Sequence, residues 1–112
     1  MISIGEIETI KTITKFVGTD GWLFLKFYNS EGKFLDKLFI CRLKDIKGKG
    51  QERISNFDKV YNVIINDLLN SNLKDGFITV YNTKYKIDPN FKISERIYVE
   101  DVNGSVYLLK IV

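Results

Sequence analysis

From Arg42 to Arg53 the chain reads RLKDIKGKGQER, a stretch whose residue types suit the holding of an anion. Arg42, Lys44, Lys47, Lys49 and Arg53 stand there against Asp45 and Glu52, which accounts for the whole net charge of +3 in a chain of 17 basic and 14 acidic residues. Ammonium groups and backbone N–H donors on a glycine-containing loop can lie along a phosphate chain, giving salt-sensitive, sequence-independent binding. Lys-Gly loops also serve as plain solvated connections, and the Gly-x-x-x-x-Gly-Lys-Ser/Thr spacing of a nucleotide cradle is absent here. A second cluster interleaves Tyr81, Tyr85, Phe91 and Tyr98 with Lys84, Lys86, Lys92 and Arg96. Single-stranded nucleic acid is held by this pairing of rings on which bases stack with cations that neutralise phosphates. The same rings are favoured strand residues that pack across a sheet, and a net charge of +3 is modest for a nucleic-acid binder.

Catalytic chemistry finds little to work with. The chain has no histidine, which removes the commonest general base and imidazole ligand along with every Ser-His or Cys-His nucleophile. The single cysteine, Cys41, lies in the apolar run LFICRL and reads as a small buried thiol. Glu100, Asp101 and Asn103 cluster oxygen donors but lack the spaced ligands of a calcium loop, and nothing fixes Asp36, Asp45 and Glu52 around a metal. The expectation is a non-enzyme with no cofactor and no metal.

These residues must be positioned by elements that the apolar pattern outlines. Ile4, Ile7, Ile10, Ile13 and Phe16 recur every three residues, which fits neither strand nor helix. Rich in Ile and Thr, the segment reads as a long strand whose apolar face is re-aimed by a bulge or bend, with a helix as the alternative. Thr19-Asp20-Gly21 is a turn, and WLFLKFY (22–28) has the near-continuous apolarity of a central strand covered on both faces. Asn29-Ser30-Glu31-Gly32 reads as a hairpin turn into a third strand, KFLDKLFICRL (33–43). Gly48 and Gly50 leave 44–53 as a loop.

Helical spacing is clearest over 57–69, where Phe57, Val60, Tyr61, Ile64, Ile65, Leu68 and Leu69 share one face, with Ser55 as the predicted N-cap and a stop near Asn70-Ser71-Asn72. Strands return in FITVY (77–81) and KYKI (84–87) around an Asn82-Thr83 turn. Pro89 marks an irregular crossing, because proline lacks a ladder donor and restricts its predecessor. In RIYVEDVNGSVYLLKI, Asn103-Gly104 predicts a type I′ hairpin.

Three strands, one amphipathic helix, then three or four strands make an α+β chain, expected as one compact domain over 1–112. This order resembles that of the OB-fold, a small antiparallel β-barrel with its helix between the third and fourth strands. The resemblance lies in order and pattern alone; an SH3-like barrel with an inserted helix, or an open sheet on one helix, fits nearly as well. MISIGEIETI lacks the layout of a secretory signal and no run reaches the roughly 20 apolar residues of a membrane span, so a soluble, cytoplasmic protein is expected. The leading functional expectation is low-specificity binding of single-stranded DNA or RNA through Arg42, Lys44, Lys47, Lys49, Arg53, Tyr81, Lys84, Tyr85, Lys86 and Tyr98. The alternative is a stoichiometric protein-interaction module of inhibitor, immunity or assembly type, using a sheet edge or leftover apolar side chains with Trp22 as a possible anchor.

Overall fold

The computed structural model of the chain describes residues 7–45, 51–72 and 75–109. Their order is β1 (Thr9–Gly18), β2 (Trp22–Tyr28), β3 (Phe34–Arg42), a 3-10 turn (Leu43–Asp45), α1 (Gln51–Asn72), β4 (Phe77–Val80), β5 (Thr83–Glu100) and β6 (Val106–Leu108). One six-stranded sheet runs β3-β2-β1-β5-β4, with β6 paired to the end of β5. Neighbours are antiparallel except β1 and β5, which run parallel at the centre. The expected order of strands, helix and strands holds, and sheet dominates it. The sheet does not close into a barrel: no ladder joins its edge strands β3 and β4. Tyrosines of the β4–β5 hairpin reach β3 instead, the Tyr81 hydroxyl accepting from Phe39 N–H at 3.0 Å and the Tyr85 hydroxyl donating to Asp36 Oδ2 at 2.8 Å.

The threefold spacing in β1 has its cause in this central pairing. Ile10 faces Ile87 and Thr12 faces Lys92, so β5 carries extra residues around Pro89 at that point. Ile10 and Ile13 both turn to the core despite their odd separation, and both are completely buried. The proline therefore lies within a continuous but irregular strand rather than between two. Beyond Ile13 the strand alternates regularly, so Val17 faces the core while Phe16 turns to the opposite side. A second shift in β5, between Ile93 and Ile97, brings Ser94 Oγ to Lys15 N–H at 3.0 Å and the Glu95 carbonyl to Lys15 Nζ at 3.4 Å. Buried polar groups require such partners, and Lys15 is only 3% exposed.

Leu23, Leu25 and Phe27 of β2 face the same core, where each fully buried side chain contributes about 1.5–3 kcal/mol. Against them pack Tyr61 and Ile65, with Leu69 at the margin, which are positions of the predicted helical face. The Tyr61 hydroxyl donates to the carbonyls of Phe16 and Phe24, pinning the helix to β1 and β2. Burial pushes its pKa up. Asn62, Asn66, Asp67 and Asn70 lie exposed on the other side. The helix begins earlier than expected: Gln51, Glu52 and Arg53 are helical rather than loop, and Ser55 lies inside the helix instead of capping it. Good helix formers at these positions and an acidic residue near the N-terminus favour that extension.

Two hairpins turn the chain by the same device. Asn29 N–H donates to the Lys33 carbonyl and Gly32 N–H to the Asn29 carbonyl, while Asn29 Oδ1 accepts from Glu31 and Lys33. Asp101 repeats every contact with Ser105, Gly104 and Asn103. Each is a three-residue loop closed by a left-handed glycine, Gly32 at φ 79° and Gly104 at φ 83°. The Asn103-Gly104 hairpin thus forms, but not as type I′, since Asn103 is not at positive φ. The β4–β5 turn falls one residue early, on Tyr81-Asn82, because Thr83 pairs with Val80.

A Cβ on Gly104 would meet nothing within 4 Å, so its substitution tests backbone conformation alone. Gly104→Ala should lower the unfolding free energy in urea by about 1–2 kcal/mol, and Gly104→Asn by less, because Asn tolerates the left-handed region.

Candidate nucleic-acid interface

Strand alternation sends Trp22, Phe24, Lys26 and Tyr28 of β2 to the face away from the helix. Phe16 and Tyr98 join them there from β1 and β5, and Phe34, Lys37, Phe39 and Arg42 from β3. Their rings run across four strands. Tyr98 and Phe16 lie 5.8 Å apart by ring centroid, Phe16 stacks on Phe24 at 5.4 Å, Phe24 meets Phe39 at 5.6 Å, and Phe39 meets Trp22 edge-on at 5.8 Å.

Cations cover this run. Lys26 Nζ lies 4.6 Å from the Phe16 ring centre, Lys37 Nζ 4.6 Å from that of Phe24, and the Arg42 guanidinium 4.8 Å from that of Trp22. An ammonium or guanidinium over a ring face is attracted by the ring quadrupole, by about 0.5–1 kcal/mol where water reaches it. Phe16 and Phe24 are buried on this face, whereas Phe39 is 47% exposed. WLFLKFY is accordingly apolar on both sides, but among the described residues charged side chains, not a second layer of backbone, cover its outer side. Lys26 pairs with Glu100. Directly across the ladder from Lys26 stands Lys37, which has no carboxylate within ion-pair distance among the described residues.

Of the residues expected to form a site, Arg42 and Tyr98 belong to this run, at its two ends. Lys44 is exposed in the 3-10 turn that follows β3. Lys47 and Lys49 lie outside the described residues, and Arg53 falls in the first turn of α1. Lys84 and Lys86 flank a different ring, Phe77, at 4.4 and 5.9 Å. Beside Lys86 opens a cleft of about 640 Å³, lined also by Glu8, Thr9, Asn29 and Glu31. Tyr81 sits at the β4–β5 turn with φ 53°, a conformation that a bulky side chain rarely adopts, and its hydroxyl clasps β3. Tyr85 is no stacking platform: it is 6% exposed in the helix-facing core. Trp22, Phe24, Phe39, Lys26 and Lys37 are missing from the expected set; the signal for Trp22, Phe24 and Lys26 is their alternation with Leu23, Leu25 and Phe27 within WLFLKFY.

The reactive groups are quiet. Cys41 packs half-buried against the core, where burial and then the Asp45 carboxylate push its thiol up. No three acidic or cysteine side chains converge as metal ligands among the described residues, and no helix among them is long and apolar enough to cross a membrane.

Burial, then the bond to Asp36 and that carboxylate's charge, push the Tyr85 hydroxyl up to about 12. An unfolded tyrosine ionises near 10, so between these values the unfolded chain binds fewer protons and stability falls as pH rises. Melting temperature should decline from pH 10 to 12, and less steeply in Tyr85→Phe. Compared with protein-family models, curated proteins and solved structures, the chain matches none, which leaves the geometry of the outer face to carry the functional reading.

Proposed function

We propose that the chain is a non-enzymatic binding domain that holds single-stranded nucleic acid with low sequence specificity on the outer face of β1, β2, β3 and β5. The observation that carries this reading is the pair Lys26 and Lys37, opposed on neighbouring strands above a continuous run of rings. Like charges directly opposite each other weaken a sheet. Glu100 compensates Lys26, while Lys37 and the exposed Arg42 keep their charge for an incoming anion. Phosphates supply that anion at regular intervals, and bases supply flat partners for Trp22 and Phe39. Stacking accepts any base and phosphate contact reads none, which is why specificity is low. Lys44 extends the basic margin beyond β3.

One observation favours a protein partner as the second reading. Val102 in the loop of the last hairpin is exposed, as are Val106, Tyr107 and Leu108 on its short edge strand, which could accept another strand.

Titration of labelled single-stranded DNA and RNA at several salt concentrations, with Trp22 fluorescence alongside, separates the two. Binding should weaken with salt, and Lys37→Gln and Arg42→Gln should each lower the slope of log K against log salt by about 0.7. Phe39→Ala should cost about 1–3 kcal/mol of affinity without unfolding the domain. Val106→Asp should leave nucleic-acid binding unchanged. Absence of binding at low salt would refute the proposal and turn attention to the last hairpin.

A further inference from the structure

The edge strands of the sheet differ in how they meet solvent. β3 and β4 approach each other, and the Tyr81 hydroxyl accepts from Phe39 N–H on the β3 edge. β3 also carries Asp36, Lys37 and Arg42, charges that resist pairing with a further strand. β6 pairs with β5 on one side, and among the described residues no strand joins its other side. From Val102 to Leu109 the chain reads VNGSVYLL, without a charge or a proline, so neither of these common devices blunts the edge. Val106, Tyr107 and Leu108 are 50%, 54% and 37% exposed. We infer that β6 is a dimerisation edge, which pairs antiparallel with β6 of a second copy of this chain about a two-fold axis and extends one sheet across both copies. The inference goes beyond the nucleic-acid reading of the outer face and does not depend on it.

Which backbone groups of β6 point outward follows from its ladder with β5. Asp101 N–H donates to the Ser105 carbonyl at 3.0 Å and Leu109 N–H to the Ile97 carbonyl at 2.9 Å. Antiparallel pairs alternate, so Ser105, Tyr107 and Leu109 turn their backbone groups to β5, while Val106 and Leu108 turn theirs outward. With a two-fold axis at Tyr107, Val106 of one copy lies opposite Leu108 of the other and exchanges both N–H···O bonds with it. Every outward backbone group of β6 then finds a partner. Apolar side chains meet across the seam, Val106 with Leu108 on one face and Tyr107 with its own counterpart on the other. An uncharged strand meets itself with no like charges opposed, which favours a second copy over a charged peptide. The hairpin is also set beforehand, because Asp101 accepts from Asn103 and Ser105 N–H and from the Tyr107 hydroxyl, so little ordering is lost on pairing. So short a strand buries less than the roughly 1,200 Å² of a stable interface, which makes the dimer weak and reversible.

Sedimentation velocity of the full chain from about 10 μM to about 1 mM, a range suited to a weak dimer, tests this edge. The average mass should rise with concentration from monomer toward dimer and no further, because an edge that pairs with itself about a two-fold closes. Over the same range amide exchange at Val106 and Leu108 should slow, while that at Phe39 should not. Val106→Pro deletes an outward donor that β5 does not use, and Leu108→Lys adds a charge of the kind that keeps natural edges apart. Each should keep the native circular dichroism and stay monomeric, and Leu108→Lys carries the test alone if the proline variant does not fold. Lys37→Gln, on the β3 edge, should associate as the wild-type chain does. A wild-type chain that is monomeric throughout would overturn the inference and leave the edge to a different strand. Association that survives in Leu108→Lys, is lost in Lys37→Gln or grows beyond a dimer would overturn it as well, by locating the contact elsewhere.

Discussion

Between Ile10 and Ile13, β1 turns two isoleucines to the helix across an odd number of residues, and the rest of the molecule is arranged around that change of phase. Strand geometry gives each residue one side or the other, so a single irregularity reassigns everything that follows. Without it, Phe16 would share a side with Ile10, leaving an aromatic ring in the core and no link between Tyr98 and Phe24. With it, Lys15 comes to the inner side, and β5 answers with a second irregularity that presents Ser94 and Glu95. Both deviations lie on the central parallel pair, where the sheet has neighbours on each side to hold them.

The outer face settles its charges by a different route. Phe16 and Phe24 are shielded from water by Lys26 and Lys37, whose stems cover apolar surface while their ammonium groups sit over the rings. Tyr28, on the same face, has its hydroxyl raised by burial first and then by the Glu100 carboxylate. One acidic residue thus anchors Lys26 and influences a neighbouring phenol, so the electrostatics of the face are coupled through Glu100.

Much of the local structure is legible in the sequence. Asn29 and Gly32 announce their turn by chemistry, Tyr61, Ile65 and Leu69 announce a helical face by spacing, and Asn103-Gly104 announces a hairpin although not its turn type. What cannot be read there is pairing. That β5 runs parallel to β1 depends on contacts some eighty residues apart, and it decides that Tyr98 joins the rings while Tyr85 goes to the core. The apolar run of β2 hides its own division, because Trp, Phe and Leu count alike as hydrophobic. Only the register distinguishes Leu23 and Leu25, packed under the helix, from Trp22 and Phe24 on the opposite face. Arg42 and Tyr98 are legible as individual candidates, but the rings that connect them are not.

The parallel pairing also bears on the order in which the molecule is built. The β1–β2–β3 meander closes through short turns, whereas joining β5 to β1 requires a long loop to close before its contacts form, and non-local pairing of this kind slows folding. Phe16, Phe24, Lys26 and Lys37 can therefore assemble early from one contiguous stretch of chain. Tyr98 and Glu100 arrive late. Until they do, Lys26 lacks its carboxylate, so the nascent domain carries a more strongly positive face than the finished one, and docking of β5 is the step that tempers it.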